Sequence, residues 1–334
     1  MKKILIVKIG AIGDVIMCMN ILPKIKLENP DAKISWICGK GVRELLELYG
    51  GIDKLIEIDE NNLFKGNFLK KIQEILKLYF KIGFKSYDIV FIGHSDWRYR
   101  ILVRPIFSKE IRIFERNQKR NSVIPGRYHG YEYIRIFENK DYVSKEAFPL
   151  LILNKGLKKE FEFLLNKKLK RIILAPGGAK NYLRDDFLRR WPIENYVELT
   201  KLLLKNGNEV ILIGSNSDKW CNEYFTNLNV LNLIGQTSLT DLISICNVSD
   251  ILVTHDSGPL HIGIISGIKV LGIFGPTMPY EKIPSTSYFI WGGDGLACRP
   301  CYDGKNYAPC KDNKCMKNIS PELVYKKINF ILNI

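Results

Sequence analysis

The chain has 334 residues, 46% apolar and 25% charged, with 50 lysines and arginines against 35 acids for a formal charge of +15. That composition describes a soluble globular protein whose length suggests two domains. No run approaches the roughly 18 to 20 uninterrupted apolar residues of a membrane span, and the apolar start is broken at Lys8, Gly10 and Asp14, so neither a signal peptide nor an anchor is expected. The positive charge implies acidic company, which nucleic acid, a phosphorylated substrate or an anionic membrane leaflet would each provide.

Short apolar runs alternate with longer amphipathic ones, the pattern of parallel sheets covered by helices. In the first half the spacing predicts strands at Ile4–Ile9, Ile34–Cys38, Lys54–Ile58, Asp88–Gly93 and Glu110–Phe114. Helices are expected to begin near Asp14, Val42 and Asn67, the last with Leu69, Ile72, Ile75, Leu76 and Tyr79 at helical spacing. The first loop reads Lys8-Ile9-Gly10-Ala11-Ile12-Gly13-Asp14, in which two glycines let backbone approach a ligand and Asp14 stands at a helix start. Its carboxylate suits a general base, or it serves only the helix dipole. A dinucleotide dehydrogenase is disfavoured, because the third glycine of that fingerprint is missing and the second strand ends at Cys38 instead of an acid.

Further on, Trp97-Arg98-Tyr99-Arg100, Arg104, Lys119-Arg120 and Arg127 offer a basic face for a phosphorylated saccharide or lipid surface, about half of it merely solvated. His94 and Ser95 follow a strand end, and His129 reads as a surface residue. The stretch 156–170 is rich in lysine and glutamate and is expected to be a surface linker helix between a first domain at 1–155 and a second at 171–319. A last helix over 320–334 is expected to pack back on the first domain.

A second alternation predicts strands at Arg171–Ala175, Glu209–Ile213, Val230–Leu233, Ile251–Thr254 and Val270–Phe274, with a capping box at Ser238-x-x-Asp241. Ligands of such sheets lie outside the carboxyl ends of the strands, and a cleft between the domains is the default site. There stand Gly177-Gly178 with Arg189 beyond them, Ser215-Asn216-Ser217, Gly235-Gln236-Thr237-Ser238, and Asp256-Ser257-Gly258-Pro259-Leu260-His261. Pro259 in a first turn and Ser257 as N-cap would aim a helix's N–H groups and positive dipole end at an anion, with His261 one turn in. Arg189 can grip a phosphate bidentately. Each loop alone also reads as an ordinary surface turn.

Cys18, Cys38, Cys221 and Cys246 sit in or beside apolar segments as buried thiols do, and they suggest a reducing compartment. Cys298, Cys301, Cys310 and Cys315 crowd into one polar stretch, where a structural metal site, disulfides and free thiols all stay open.

Taken in this order, Lys8–Asp14, Pro176-Gly177-Gly178-Ala179 with Arg189-Arg190-Trp191-Pro192, Gly235–Leu239, Asp256–His261 and Phe274-Gly275-Pro276-Thr277 resemble glycosyltransferase family 9, the heptosyltransferases of lipopolysaccharide core synthesis. The resemblance spans nearly the whole chain. It implies a GT-B fold of two facing Rossmann-like domains with an interdomain cleft, and inverting transfer of a heptose or related sugar from an ADP-sugar to a hydroxyl of a phosphorylated inner-core acceptor.

Carried over, Asp14 is the general base. Gly177, Gly178, Arg189, Asn216, Thr237, Asp256, Ser257, Gly258 and His261 bind the donor, and Gly10, Gly13, His94, Arg98, Arg100 and Arg120 the acceptor. Arg189 stands where relatives often carry lysine, and no Asp-x-Asp metal motif appears in a matching place, so no catalytic cofactor is expected. The cysteine cluster looks like one common among lipopolysaccharide members, and relatives that modify protein hold iron with such a cluster, so structural zinc or iron enters as an expectation. The implied location is cytoplasmic, peripheral at the inner face of the inner membrane. The alternatives are a heptosyltransferase acting on protein, a family member using another nucleotide sugar and, more distantly, a basic nucleic-acid-binding protein. The last lacks a reading motif and aromatics interleaved with its basic residues.

Overall fold

Five strands build the first sheet: β1 (Lys3–Val7), β2 (Lys33–Gly39), β3 (Lys54–Ile58), β4 (Ser86–Ile92) and β5 (Phe107–Ile113), in the order β3-β2-β1-β4-β5 and all parallel. Central strands of such a sheet are buried on both faces, which is why β1 reads as an unbroken apolar run; Ile4 sits between Ile34 and Ile89. The second sheet has six parallel strands, β6 (Arg171–Ala175), β7 (Glu209–Leu212), β8 (Leu231–Asn232), β9 (Ile251–His255), β10 (Lys269–Phe274) and β11 (Tyr288–Trp291), ordered β11-β10-β9-β6-β7-β8. All ten expected strands are found within a few residues of their expected ends, and β11 is an addition.

The computed structural model describes residues 1–115, 122–140, 150–166, 168–180, 185–303 and 306–333. Its chain divides into two units, Met1–Leu151 and Ile152–Ile334, each with one sheet and its own core. In each sheet the first strand of the unit has neighbours on both sides, so the direction of winding reverses between β1 and β4 and between β6 and β9. Loops leaving such a pair diverge and open a crevice at their carboxyl ends.

Several expectations are corrected. The stretch 156–170 forms only a short 3-10 helix, Lys159–Leu165, which buries Phe161 and Leu164 and lies within the second unit. The terminal helix, Pro321–Leu332, puts Val324, Ile328 and Ile331 into the second unit's core beside helix Ile193–Lys205, where the sequence reading had placed it on the first domain. His129 is buried at the start of helix His129–Glu138, edge-on to Phe114. Helix Phe68–Ile82 has the expected period, but it turns Leu78 and Ile82 inward and leaves Leu69, Ile72 and Leu76 exposed. Among the described residues no helix is long and apolar enough to cross a membrane.

Candidate active site

At the carboxyl end of β1 the chain turns through Gly10 into helix Ile12–Met19, whose N-cap is Ala11 and makes no side-chain cap. A side chain at Gly10 would meet nothing within 4 Å, so its backbone is open to approach, whereas Gly13 is buried in the first helical turn. Asp14 is the third helical residue. Its carboxylate lies 3.1 Å from the Lys8 Nζ, and the pair is unequal, since Lys8 is buried while Asp14 reaches the surface. The Lys8 ammonium also lies 5.9 Å from the centroid of the Tyr133 ring.

Across the switch from β1, the loop after β4 brings Gly93 against Lys8, and His94 stacks on Tyr99 with ring centroids 4.4 Å apart. The His94 Nδ1 accepts from the Asp96 amide at 3.0 Å, which fixes the ring's orientation. Asp14 and His94 therefore belong to one end of the sheet. The basic residues are more dispersed. Arg98 is paired with Asp96 and Arg100 with Glu115, and both side chains are exposed. Arg127 is not on the surface; it lies 3.2 Å from the buried Glu132, which Arg135 also engages at 2.7 Å, so it belongs to a structural network. Arg120 lies outside the described residues.

In the second unit the switch point gathers more of the expected residues. Gly178, after β6, has φ +90°, and a side chain there would press on the Ser257 Cβ at 3.1 Å, so the glycine loop and the loop after β9 touch. Ser257 occupies the N-cap position of helix Gly258–Ser266, yet its hydroxyl faces the Thr254 hydroxyl at 3.3 Å and caps nothing. Ser257 thus stands at the expected N-cap position without a side-chain cap; the Leu260 amide donates to the Ser257 carbonyl at 3.2 Å and Pro259 has no N–H, so the Gly258 amide, at the positive end of the helix dipole, is the first-turn donor turned toward an anion.

The glycine loop is held from behind by Asp218, which accepts from the Gly178 amide, the Ser215 amide and the Ser215 hydroxyl, each at 2.7 Å. A capping box at Ser215 to Asp218 and the expected one at Ser238 to Asp241 order the loops after β7 and β8. Asn216 packs against Gly235, which joins those two loops. The Thr237 Oγ1 is buried with no hydrogen-bond partner among the described residues, the state of a hydroxyl that a ligand would complete.

Arg189 is the charged centre of this end. Its guanidinium lies 3.3 Å from Asp256 and 3.7 Å from Asp186, over the ring of Tyr302 at 4.9 Å, and donates from Nε to the Tyr307 hydroxyl at 2.5 Å. Burial is the largest single influence on Asp256 and opposes its charge, but Arg189, Lys282, His261 and Thr277 together outweigh it and hold the carboxyl below its ordinary value. His261 is buried beside it. The neighbouring His255 is driven down to about 3 by burial, and its ring meets the Tyr196 hydroxyl at 3.1 Å, so it stays neutral.

Sequence reading missed Asp218, Tyr302 and Tyr307. Ser215-x-x-Asp218 carries a capping-box spacing that could have exposed the first, while the tyrosines carry no local signal.

The four late cysteines line one pocket with Gly275 and Pro276. Burial raises the Cys301 and Cys315 thiols, the latter to about 11, and the neighbouring cysteines of the cluster add to both shifts. Among the described residues no three Cys, His, Asp or Glu side chains are gathered so as to hold a metal, and the expectation of structural zinc or iron finds no support in this arrangement.

Comparison with known proteins identifies the family and the fold. The family model described as glycosyltransferase family 9 (heptosyltransferase) matches residues 136–310, more than half of the chain. A lipooligosaccharide heptosyltransferase 2 of Campylobacter jejuni is 25% identical over 96% of this chain and 95% of its own length. Among solved structures, a family 9 glycosyl transferase from Veillonella parvula superposes with a TM-score of 0.76 at 19% identity, covering 99% of this chain and 97% of that one. The Escherichia coli ADP-heptose lps heptosyltransferase II follows at 0.71 and 21%, covering 100% and 99%. These similarities establish the GT-B fold.

Proposed function

Since the chain belongs to glycosyltransferase family 9, we propose that this glycosyltransferase moves a heptose from an ADP-sugar to a hydroxyl of a lipopolysaccharide inner-core acceptor, with inversion at the anomeric carbon. The observation that carries the reading is the anion cradle at the β6–β9 switch, where Gly178 touches Ser257 and the uncapped start of helix Gly258–Ser266 lies beside Arg189 and Asp256. Backbone amides and a guanidinium in one buried place suit a leaving pyrophosphate, whose charge grows as the glycosidic bond breaks. The names of the C. jejuni and E. coli relatives supply the sugar and the acceptor class.

In this reading Gly177, Gly178, Arg189, Ser257, Gly258 and His261 hold the diphosphate, and Asn216 and Thr237 the nucleoside. Asp14 takes the proton of the acceptor hydroxyl as it attacks C1, and ADP departs with the bonding pair. Gly10, Gly13 and His94 border the acceptor, and Arg98 and Arg100, both exposed, meet its phosphates. An acceptor built on lipid would keep the protein in the cytoplasm, peripheral at the inner face of the inner membrane.

The test incubates the protein with ADP-heptose, other nucleotide sugars and a heptose-deficient lipopolysaccharide core, and identifies the released nucleotide and the extended product. ADP release that requires the core acceptor supports the reading. Transfer to a protein acceptor alone, or from another nucleotide sugar alone, would replace it.

A further inference from the structure

Helix Phe68–Ile82 is held to the first unit by one side only. Leu78 and Ile82 are buried, Ile75 and Tyr79 half-buried, and the Tyr79 hydroxyl donates to the Ile101 carbonyl at 2.5 Å. At about 100° per residue, Phe68, Leu69, Ile72, Leu76 and Phe80 fall within an arc of about 120° on the outer side. All five are exposed, Phe68 at 75% and Phe80 at 88%, and the row continues past the helix end to Phe84 at 84%. Burial of large apolar side chains is strongly favourable, so a rigid row of this kind is unusual unless something covers it.

Charge identifies what covers it. Residues 65–85 contain six lysines and one acid, Glu74, which is buried and accepts from the Asp59 amide. Lys70, Lys77 and Lys81 run along the neighbouring arc of about 40°, and Lys65 and Lys85 stand at the two ends. A protein partner would disfavour this composition, since interface cores are depleted in lysine. An anionic bilayer favours it: phenylalanine and leucine enter the acyl boundary while the lysines stay at the headgroups. With 15 residues the helix is about 22 Å long, too short to span, and lies in the surface plane.

We infer that the outer face of Phe68–Ile82, with Phe84, docks this protein onto an anionic lipid surface. The inference rests on the membrane association proposed above and gives it a location.

The test sediments the full-length protein with vesicles of phosphatidylcholine alone or with about a third phosphatidylglycerol, at low and high salt. The wild type is expected to bind the anionic vesicles and to be released by salt. Leu69→Ser/Leu76→Ser/Phe80→Ser and Lys70→Ser/Lys77→Ser/Lys81→Ser are each expected to weaken binding by about tenfold or more, with melting temperature and ADP release on a soluble deacylated acceptor unchanged. Wild-type protein that stays in the supernatant, or serine variants that bind as well as wild type, would overturn it. So would light scattering that shows a dimer which the apolar variant converts to a monomer without loss of vesicle binding. Failure of ADP release in the wild type would remove the transferase reading and leave the vesicle result to stand by itself.

Discussion

Lys8 and Asp14 form an ion pair of unequal burial: the lysine side chain is 1% exposed, and the carboxylate 3.1 Å away keeps 34%. A buried ammonium without a counter-charge costs about 3–5 kcal/mol, whereas a surface carboxylate that loses its cation is rehydrated at little cost. The two deletions should therefore differ. Asp14→Ala is expected to lower stability by several kcal/mol on that scale, Lys8→Met by much less, and the double variant to recover most of the loss. Chemical denaturation of the three proteins checks the order.

The same asymmetry makes Lys8 a positioning residue for the proposed base. Asp14→Asn keeps an acceptor for the ammonium and should fold, bind ADP as wild type does, and lose transfer by about 10²–10⁴-fold. Lys8→Met should retain some turnover, with kcat lowered and the donor KM held, because the carboxylate loses the cation that orients it. An unchanged kcat in Lys8→Met together with an inactive Asp14→Asn would reduce Lys8 to a structural part.

Asp256 is buried and Arg189 keeps only 16% of its side chain exposed, so their pair is more costly to break. Arg189→Ala leaves the buried Asp256 carboxylate without its main counter-charge and should cost up to about 3–5 kcal/mol in stability as well as donor affinity. Asp256 has a depressed folded value against an ordinary 3.8. Its contribution is therefore fully present above that ordinary value and is lost as pH falls toward the depressed one. In the wild type the acid-side loss of stability should carry this term, and in Arg189→Ala it should shrink, because Lys282 and His261 remain but the largest lowering charge is gone. Thermal melts between neutral pH and the acid limit, with ADP titration calorimetry at neutral pH, separate the two effects.

Asp218 offers a test of the cradle that does not touch the ligand. It closes three 2.7 Å hydrogen bonds, two of them from the amides of Gly178 and Ser215. Asp218→Ala leaves those donors without their acceptor, about 1–3 kcal/mol each where they stay buried. The expected readout is a KM for the donor raised at least about tenfold, with the acceptor KM held. Gly178→Ala should fail by another route, through φ +90° and the contact with Ser257.

How much of this was legible beforehand follows from where each signal resides. Strands buried on both faces leave continuous apolar runs, so β1, β6 and β9 could be read directly, and the glycines and Asp256 after them marked the ligand loops. β11 escaped because Tyr288–Trp291 is a half-buried edge strand between loops rich in proline and glycine. In Phe68–Ile82 the period was legible but the inward face was not, because spacing does not say which side meets the sheet. Ser257 was read as a cap from its residue type, and only the geometry shows its hydroxyl turned to Thr254. Tyr302 and Tyr307 stand more than a hundred residues from Arg189, and only folding makes them neighbours.

The eight cysteines should separate by reactivity. Cys38, Cys221 and Cys246 are buried and pushed up to about 12, and burial raises Cys18 as well, so their thiolates are scarce at neutral pH and shielded from reagent. Cys298 and Cys310 are exposed, and Cys301 and Cys315 line the same pocket. Labelling with an aromatic disulfide reagent under native conditions should modify Cys298 and Cys310 fastest and the four core thiols only on unfolding, as peptide mapping would show. Because Cys301 and its neighbour Tyr302 lie in one loop, and Tyr302 stacks on Arg189, bulky labels there should also weaken ADP binding. ADP affinity unchanged after complete labelling of the late cysteines would separate that loop from the donor site.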